Sequence, residues 1–104
     1  MSPEIEFTRV LGENKSWKIK LYALSTCAHC HRVMNFLKDR SIEFEYVYVD
    51  HINREIVKKL RTDLKTKFGR VVSYPFLVVD DEKFLQGFIE AKYKQMFEPG
   101  DLID

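Results

Sequence analysis

Hydrophobic residues in the first half of the chain change their spacing twice, and this limits the folds open to the sequence. Across residues 17–24 apolar side chains alternate with polar ones, which predicts a strand with one buried face. Across residues 27–40 they recur every three or four positions, which predicts a helix that Ser25 or Thr26 can cap. Alternation returns over residues 43–50 as a second strand. Strand, helix and strand in this order predict a right-handed crossover between two parallel strands.

The second half of the chain predicts another helix and a hairpin. Asn53 is a suitable N-cap, an apolar stripe follows it, and Gly69 stands where a helix often ends. Residues 76–79 are uninterruptedly apolar and predict a buried strand. Two aspartates at 80–81 then predict a tight turn, and residues 83–86 the returning strand.

A last amphipathic helix is expected after Gly87, which ends the hairpin, and before Pro99 and Gly100. Its apolar residues are Phe88, Ile89, Tyr93, Met96 and Phe97. Alternation over residues 5–9 suggests an extra N-terminal strand. The predicted fold class is α/β, a small mixed sheet of about four strands with helices on both faces, plus that extra strand.

Length and charge restrict the classes of protein. The 104 residues suit one domain, with an extension at 1–16, a core at 17–97 and a tail at 98–104. A net charge of +1 gives no overall attraction to nucleic acid or to an anionic membrane. No segment approaches the roughly 18 apolar residues of a membrane span, and the first six residues lack the pattern of a signal peptide. We expect a cytoplasmic monomer that binds neither nucleic acid nor membranes.

The only two cysteines, Cys27 and Cys30, are separated by two residues. A disulfide across so short a loop stabilises a fold very little, so the pair indicates redox or metal chemistry. In a dithiol reaction one thiolate attacks and the second thiol resolves the mixed disulfide. Cys27 would lie at the helix N-terminus, where backbone N–H groups favour a thiolate, so we expect Cys27 to attack and Cys30 to resolve. His29 could tune Cys27 by adding a positive charge, or could be a solvated side chain without a role.

The Cys-Ala-His-Cys motif at 27–30 after a strand, together with Ser-Tyr-Pro at 73–75 before another strand, resembles the glutaredoxin family of the thioredoxin fold. The resemblance runs from about residue 17 to residue 97. It implies a thiol-disulfide oxidoreductase that acts on protein disulfides. It also implies a cis peptide bond at Pro75, which packs against the cysteines, and a Tyr74 backbone free to pair with an extended substrate. With Gly87 and Arg70, these two residues are the expected substrate-binding residues.

Three positions differ from the glutaredoxins that use glutathione. Those proteins generally have a lysine three residues before the first cysteine, an aromatic residue before the second, and Gly-Gly plus an acidic residue after the hairpin. Here Leu24, His29 and the Gln-Gly-Phe segment at 86–88 take these places. We therefore predict that glutathione binds poorly, with Arg70 or Lys67 as the remaining cation for its carboxylate.

The identity of the electron donor is open between glutathione and a thioredoxin-type reductase. The segment at 86–88 is more similar to the ribonucleotide-reductase redoxins, which such a reductase reduces. The strand before the cysteines also lacks the buried carboxylate that thioredoxins use for proton transfer, since Leu21 and Ala23 occupy it. Solvent, His29 or His31 would then relay the proton.

Two other classes of protein fit the cysteine motif. A zinc site would use both cysteines with His31 or His51, although no second closely spaced pair is present. Residues 27–31 also form the C-x-x-C-H pattern of c-type haem attachment, with Met34 or Met96 as a distal ligand. Such attachment normally follows export, and the strand-rich pattern does not suit a small cytochrome. We expect no permanently bound metal or cofactor.

Overall fold

The computed structural model describes residues 5–98, which form a five-stranded sheet, three α-helices and one short 3₁₀ turn. The strands are β1 (Thr8–Val10), β2 (Ile19–Ala23), β3 (Phe44–Tyr48), β4 (Phe76–Val79) and β5 (Lys83–Gln86). The helices are α1 (Ala28–Asp39), α2 (Arg54–Phe68) and α3 (Glu90–Phe97), and the 3₁₀ turn is Val49–His51. No helix within residues 5–98 is long and apolar enough to cross a membrane.

The strand order is β1-β3-β2-β4-β5, with β2 and β3 parallel and every other neighbouring pair antiparallel. This confirms the crossover and the N-terminal strand, so the mixed sheet has five strands instead of about four. The turn between β4 and β5 is tight, since Asp80 and Asp81 have φ values of 54° and 59°. Aspartate tolerates this left-handed conformation better than most residues.

Strands β2 and β3 are both shorter than predicted, and the cap of the helix between them differs from the prediction. Strand β3 ends at Tyr48 and not at Asp50, because the chain turns there into the 3₁₀ segment. The cap of α1 is Cys27, and not Ser25 or Thr26. Both the N–H and the hydroxyl of Ser25 donate to the Asp50 carboxylate. Ser25 therefore stabilises the turn after β3 and does not cap α1.

Helix α2 begins and ends as the sequence predicts. Asn53 Oδ1 accepts a hydrogen bond from the N–H of Glu55 at 2.8 Å. Gly69, with φ of 73°, donates its N–H to the carbonyl of Lys65 at 2.7 Å. A left-handed φ at this position favours glycine. Two residues predicted for the last helix lie outside it. Phe88 precedes α3, and Ile89 is its N-cap and is 51% exposed, so Ile89 does not belong to the buried stripe.

The sheet separates two hydrophobic clusters, as strand alternation requires. Leu21 and Ala23 face the cluster beneath α1 and α3, whereas Tyr22 faces the cluster beneath α2. The expectation of helices on both faces is therefore confirmed. The predicted stop at Pro99 and Gly100 lies outside the described residues, as do residues 1–4 of the N-terminal extension.

Candidate active site

The two cysteines occupy different environments although they share one turn. Cys27 is the N-cap of α1 at the carboxyl end of β2 and is half-buried, whereas Cys30 lies in the first turn and is 0% exposed. The Cys27 sulfur accepts a hydrogen bond from the N–H of Cys30 at 3.1 Å. A helix N-terminus offers such unpaired N–H groups, and a sulfur there gains more from them as a thiolate. The prediction that Cys27 lies at the N-terminus of the helix is therefore confirmed.

Burial determines the state of the second thiol. It raises the pKa of Cys30 well above the usual range, and the hydrogen bond with Cys27 raises it further. Cys30 therefore stays protonated and shielded from solvent at neutral pH, while Cys27 is only half-buried.

A carboxylate that the sequence analysis missed supports the loop before Cys27. Asp50 Oδ1 accepts from the N–H of Ser25 at 2.9 Å, and Asp50 Oδ2 accepts from the Ser25 hydroxyl at 2.5 Å. These bonds lower the pKa of Asp50 below its ordinary value of 3.8. The sequence could have indicated this contact. Ser25 follows β2 and Asp50 follows β3, and the carboxyl ends of neighbouring parallel strands lie at the same edge of a sheet.

The histidines contact groups other than the sulfurs. Arg32 Nη1 lies 3.4 Å from His29 Nδ1, and His31 Nε2 lies 3.0 Å from the carbonyl of Ser25. His51 Nε2 lies 3.7 Å from Asp50 Oδ2. Among residues 5–98 no hydrogen bond joins a histidine ring to either cysteine sulfur, although the backbone N–H of His31 donates to the carbonyl of Cys27 at 3.2 Å within the first turn of α1. The tuning role of His29 stays a prediction.

The second anchor of the site is the loop that precedes β4. The Tyr74-Pro75 peptide bond is cis, which confirms the geometry implied by the resemblance. Pro75 is fully buried, and its carbonyl accepts from the N–H of Gly87 at 2.8 Å. Tyr74 and Cys27 both pack against the cluster beneath α1 and α3. The cysteine loop and the proline loop therefore lie on one hydrophobic cluster.

Gln86, the last residue of β5, holds the loop before β4 through two hydrogen bonds, which the sequence did not indicate. Its Nε2 donates to the carbonyl of Val71 at 2.9 Å and to the Ser73 hydroxyl at 2.6 Å. Arg70, at the start of the loop, is exposed, as is Lys67 in the last turn of α2. Neither cation forms an ion pair with any residue from 5 to 98. Both remain available to a bound anion.

The described part of the chain gathers no metal-ligand set. Within residues 5–98 no group of three or more His, Cys, Asp or Glu side chains is placed to hold a metal ion. His31 and His51 instead pack edge-on against Tyr48, with ring centroids 6.3 and 5.5 Å from it. The arrangement of two thiols, one accessible and one shielded, suits disulfide exchange.

The model of the family described as Glutaredoxin matches residues 19–84. The structure of a glutaredoxin from Methanosarcina mazei Go1 is 28% identical, with a TM-score of 0.75, covering 90% of this chain and 89% of that one. A glutaredoxin from Archaeoglobus fulgidus is 31% identical, with a TM-score of 0.67 and coverages of 78% and 86%. A methanoredoxin from Methanosarcina acetivorans is 29% identical, with a TM-score of 0.76 and coverages of 93% and 99%. No curated protein sequence matches the chain.

Proposed function

The chain belongs to the glutaredoxin family of thiol-disulfide oxidoreductases, and we propose that it reduces protein disulfides with Cys27 as the attacking thiol and Cys30 as the resolving thiol. The observation that carries this proposal is the difference between the two sulfurs. Cys27 is only half-buried and accepts a hydrogen bond from a helix N–H, whereas Cys30 is fully buried with a raised pKa. Only a thiolate attacks a disulfide, and an attacking sulfur must reach its target.

The proposed exchange has two steps. The Cys27 thiolate attacks one sulfur of the substrate disulfide, which breaks that bond, forms a mixed disulfide and releases one substrate thiolate to take a proton from solvent. Cys30 then loses its proton and attacks the Cys27 sulfur. The Cys27–Cys30 disulfide forms and the second substrate thiolate leaves and is protonated. Two electrons and two protons pass from the protein dithiol to the substrate.

Substrate is proposed to bind along the loop before β4. The backbone N–H and C=O of Tyr74 take part in none of the hydrogen bonds among residues 5–98. An extended peptide could pair with them, as edge strands pair with peptides in other proteins. Gly87 supports this loop through its bond to the Pro75 carbonyl, and Arg70 supplies a cation beside it.

Glutathione is proposed to be a poor substrate and reductant compared with a dithiol. Leu24 offers no charge to a carboxylate, and the Gln86 amide is already bonded to Val71 and Ser73. Arg70 and Lys67 leave a weak anion site. Glutathione and a thioredoxin-type reductase are both donors used in this kind of chemistry, and we favour the reductase, in a reducing cytoplasm. Saturation of the protein at micromolar glutathione would contradict this preference.

Replacement of each cysteine by serine tests the assignment. Cys27→Ser should abolish disulfide reduction, because no other thiol is accessible. Cys30→Ser should attack once and then accumulate the mixed disulfide, which mass spectrometry of the trapped adduct would detect on Cys27. In the wild type, iodoacetamide at pH 7 should modify Cys27 well before Cys30. Equal alkylation of both thiols, or activity that survives Cys27→Ser, would overturn the proposal.

A further inference from the structure

Positive charge in this chain is concentrated on α2 and the residue that begins the next loop. Residues 54–70 contain seven Lys or Arg and two Asp or Glu, a net charge of +5. Because the whole chain carries only +1, the remaining residues carry −4. The near-neutral net charge of the chain is therefore the sum of a strongly basic region and an acidic remainder. A strongly basic region attracts negatively charged partners.

A groove of about 410 Å³ lies between the end of β3 and this helix. Its apolar floor is formed by Val49, Ile52 and Val57, and one carboxylate, Asp50, lies at its edge, where it already accepts two hydrogen bonds from Ser25. Its basic rim is formed by Arg54, Lys58 and Arg61, which lie on one face of α2 at helical spacing. A ligand in this groove would contact apolar groups below and cations beside it.

The rim cations have no negative partners in the part of the chain that the structure describes. Arg54 and Lys58 are exposed, and neither they nor Arg61 form an ion pair with any residue from 5 to 98. Like charges one helical turn apart repel each other. A ligand with negative charge would relieve this repulsion.

Both ends of the groove connect to the candidate active site. At one end Asp50 holds Ser25, two residues before Cys27. At the other end Arg61 Nη2 donates to the carbonyl of Val72 at 2.9 Å, and its guanidinium lies 5.7 Å from the centre of the Tyr74 ring. A chain segment in the groove could therefore continue directly to the cysteines and to the Tyr74 backbone.

We propose that this groove binds an acidic segment with an apolar side chain, next to the disulfide of the protein that Cys27 attacks; the inference rests on the proposed function and adds the substrate class. Arg54 and Arg61 are seven residues apart, about 10 Å along a helix, which matches about three residues of extended chain. Acidic side chains three or four residues apart would reach both ends of the rim. The aliphatic floor favours a peptide over a single-stranded nucleic acid, whose bases stack on aromatic side chains.

Two synthetic peptides with the same internal disulfide test this proposal. One has the flank Glu-Leu-Asp-Glu, and the other has Gln-Leu-Asn-Gln. Reduced protein is mixed with each oxidised peptide, and the second-order rate of thiol formation is measured at low and high salt. The rim variant is Arg54→Gln with Lys58→Gln. The matched control is Lys59→Gln with Lys65→Gln, which removes two exposed cations of the same helix outside the groove.

We expect wild type and control variant to reduce the acidic peptide about tenfold faster than the neutral one at low salt, with the ratio approaching one at 1 M salt. The rim variant should lower the ratio to about twofold and leave the neutral peptide unaffected. Equal wild-type rates on both peptides, or equal losses in the two variants, would overturn the docking surface. The proposal would also be overturned if a single-stranded RNA inhibited reduction of the acidic peptide more strongly than a disulfide-free acidic peptide does. If wild type reduces neither peptide, the proposed function itself fails.

Discussion

The two faces of the sheet differ in how many side chains their helices bury. Helix α1 buries five of its side chains, whereas the longer α2 buries only Leu64. On the α1 and α3 face the aromatic rings of Phe36, Phe88, Tyr93 and Phe97 contact one another. On the α2 face the helix is attached by half-buried side chains and presents cations to solvent. Three aromatic rings, Phe68, Phe76 and Phe84, also contact one another on the α2 face. The difference therefore lies in how deeply each helix is buried, and α2 is the helix on which we propose that substrate docks.

The same substitution on each face tests this difference most strongly. Leu37 in α1 is 0% exposed, whereas Leu60 in α2 is half-buried. Leu37→Ala should lower the free energy of unfolding by about 2–5 kcal/mol, because it leaves a cavity in a closed core. Leu60→Ala should cost about 1 kcal/mol, since less apolar surface is lost. Urea denaturation measures both, and equal losses would mean that the two faces are packed alike.

The N-cap of α2 tests whether this helix can loosen by itself. Asn53→Ala removes the bond to the N–H of Glu55 and should cost about 1 kcal/mol. Amide exchange should rise in α2 more than in α1, because fewer buried contacts hold the helix to the sheet. Asn53→Ser is the control, since serine caps equally well. A uniform rise in exchange across the whole sheet would argue against an independent α2.

Asp50, at the junction of the two faces, should give the smallest and most pH-dependent effect. Its hydrogen bonds with Ser25 lower its pKa, so its contribution to stability is present above its ordinary value of 3.8 and is lost as pH falls through the lower value of the folded state. Asp50→Asn should therefore reduce Tm at pH 6, and the difference from wild type should vanish in strong acid. A difference that stayed constant down to pH 2 would exclude the carboxylate charge as its source.

Much of the fold, and the place of Cys27 at a helix start, were predictable from local patterns. The alternation in β2, the Asn53 and Gly69 caps and the aspartate turn each act within a few residues, and all are present. The cap of α1 was predicted wrongly because Ser25 is used by Asp50, 25 positions away. Ile89 was placed on a buried stripe, yet a helix that begins one residue later leaves it exposed.

The sequence by itself determined the cysteine spacing, the order of strands and helices and the family resemblance, because these depend on residue type and short-range periodicity. Only the tertiary structure decided which thiol is buried, which carboxylate supports the cysteine loop, and where Gln86 binds. It also decided that Arg54, Lys58 and Arg61 line one groove together with the residues that follow β3. Burial and long-range hydrogen bonds depend on how distant segments meet across the sheet, and no local pattern records that meeting.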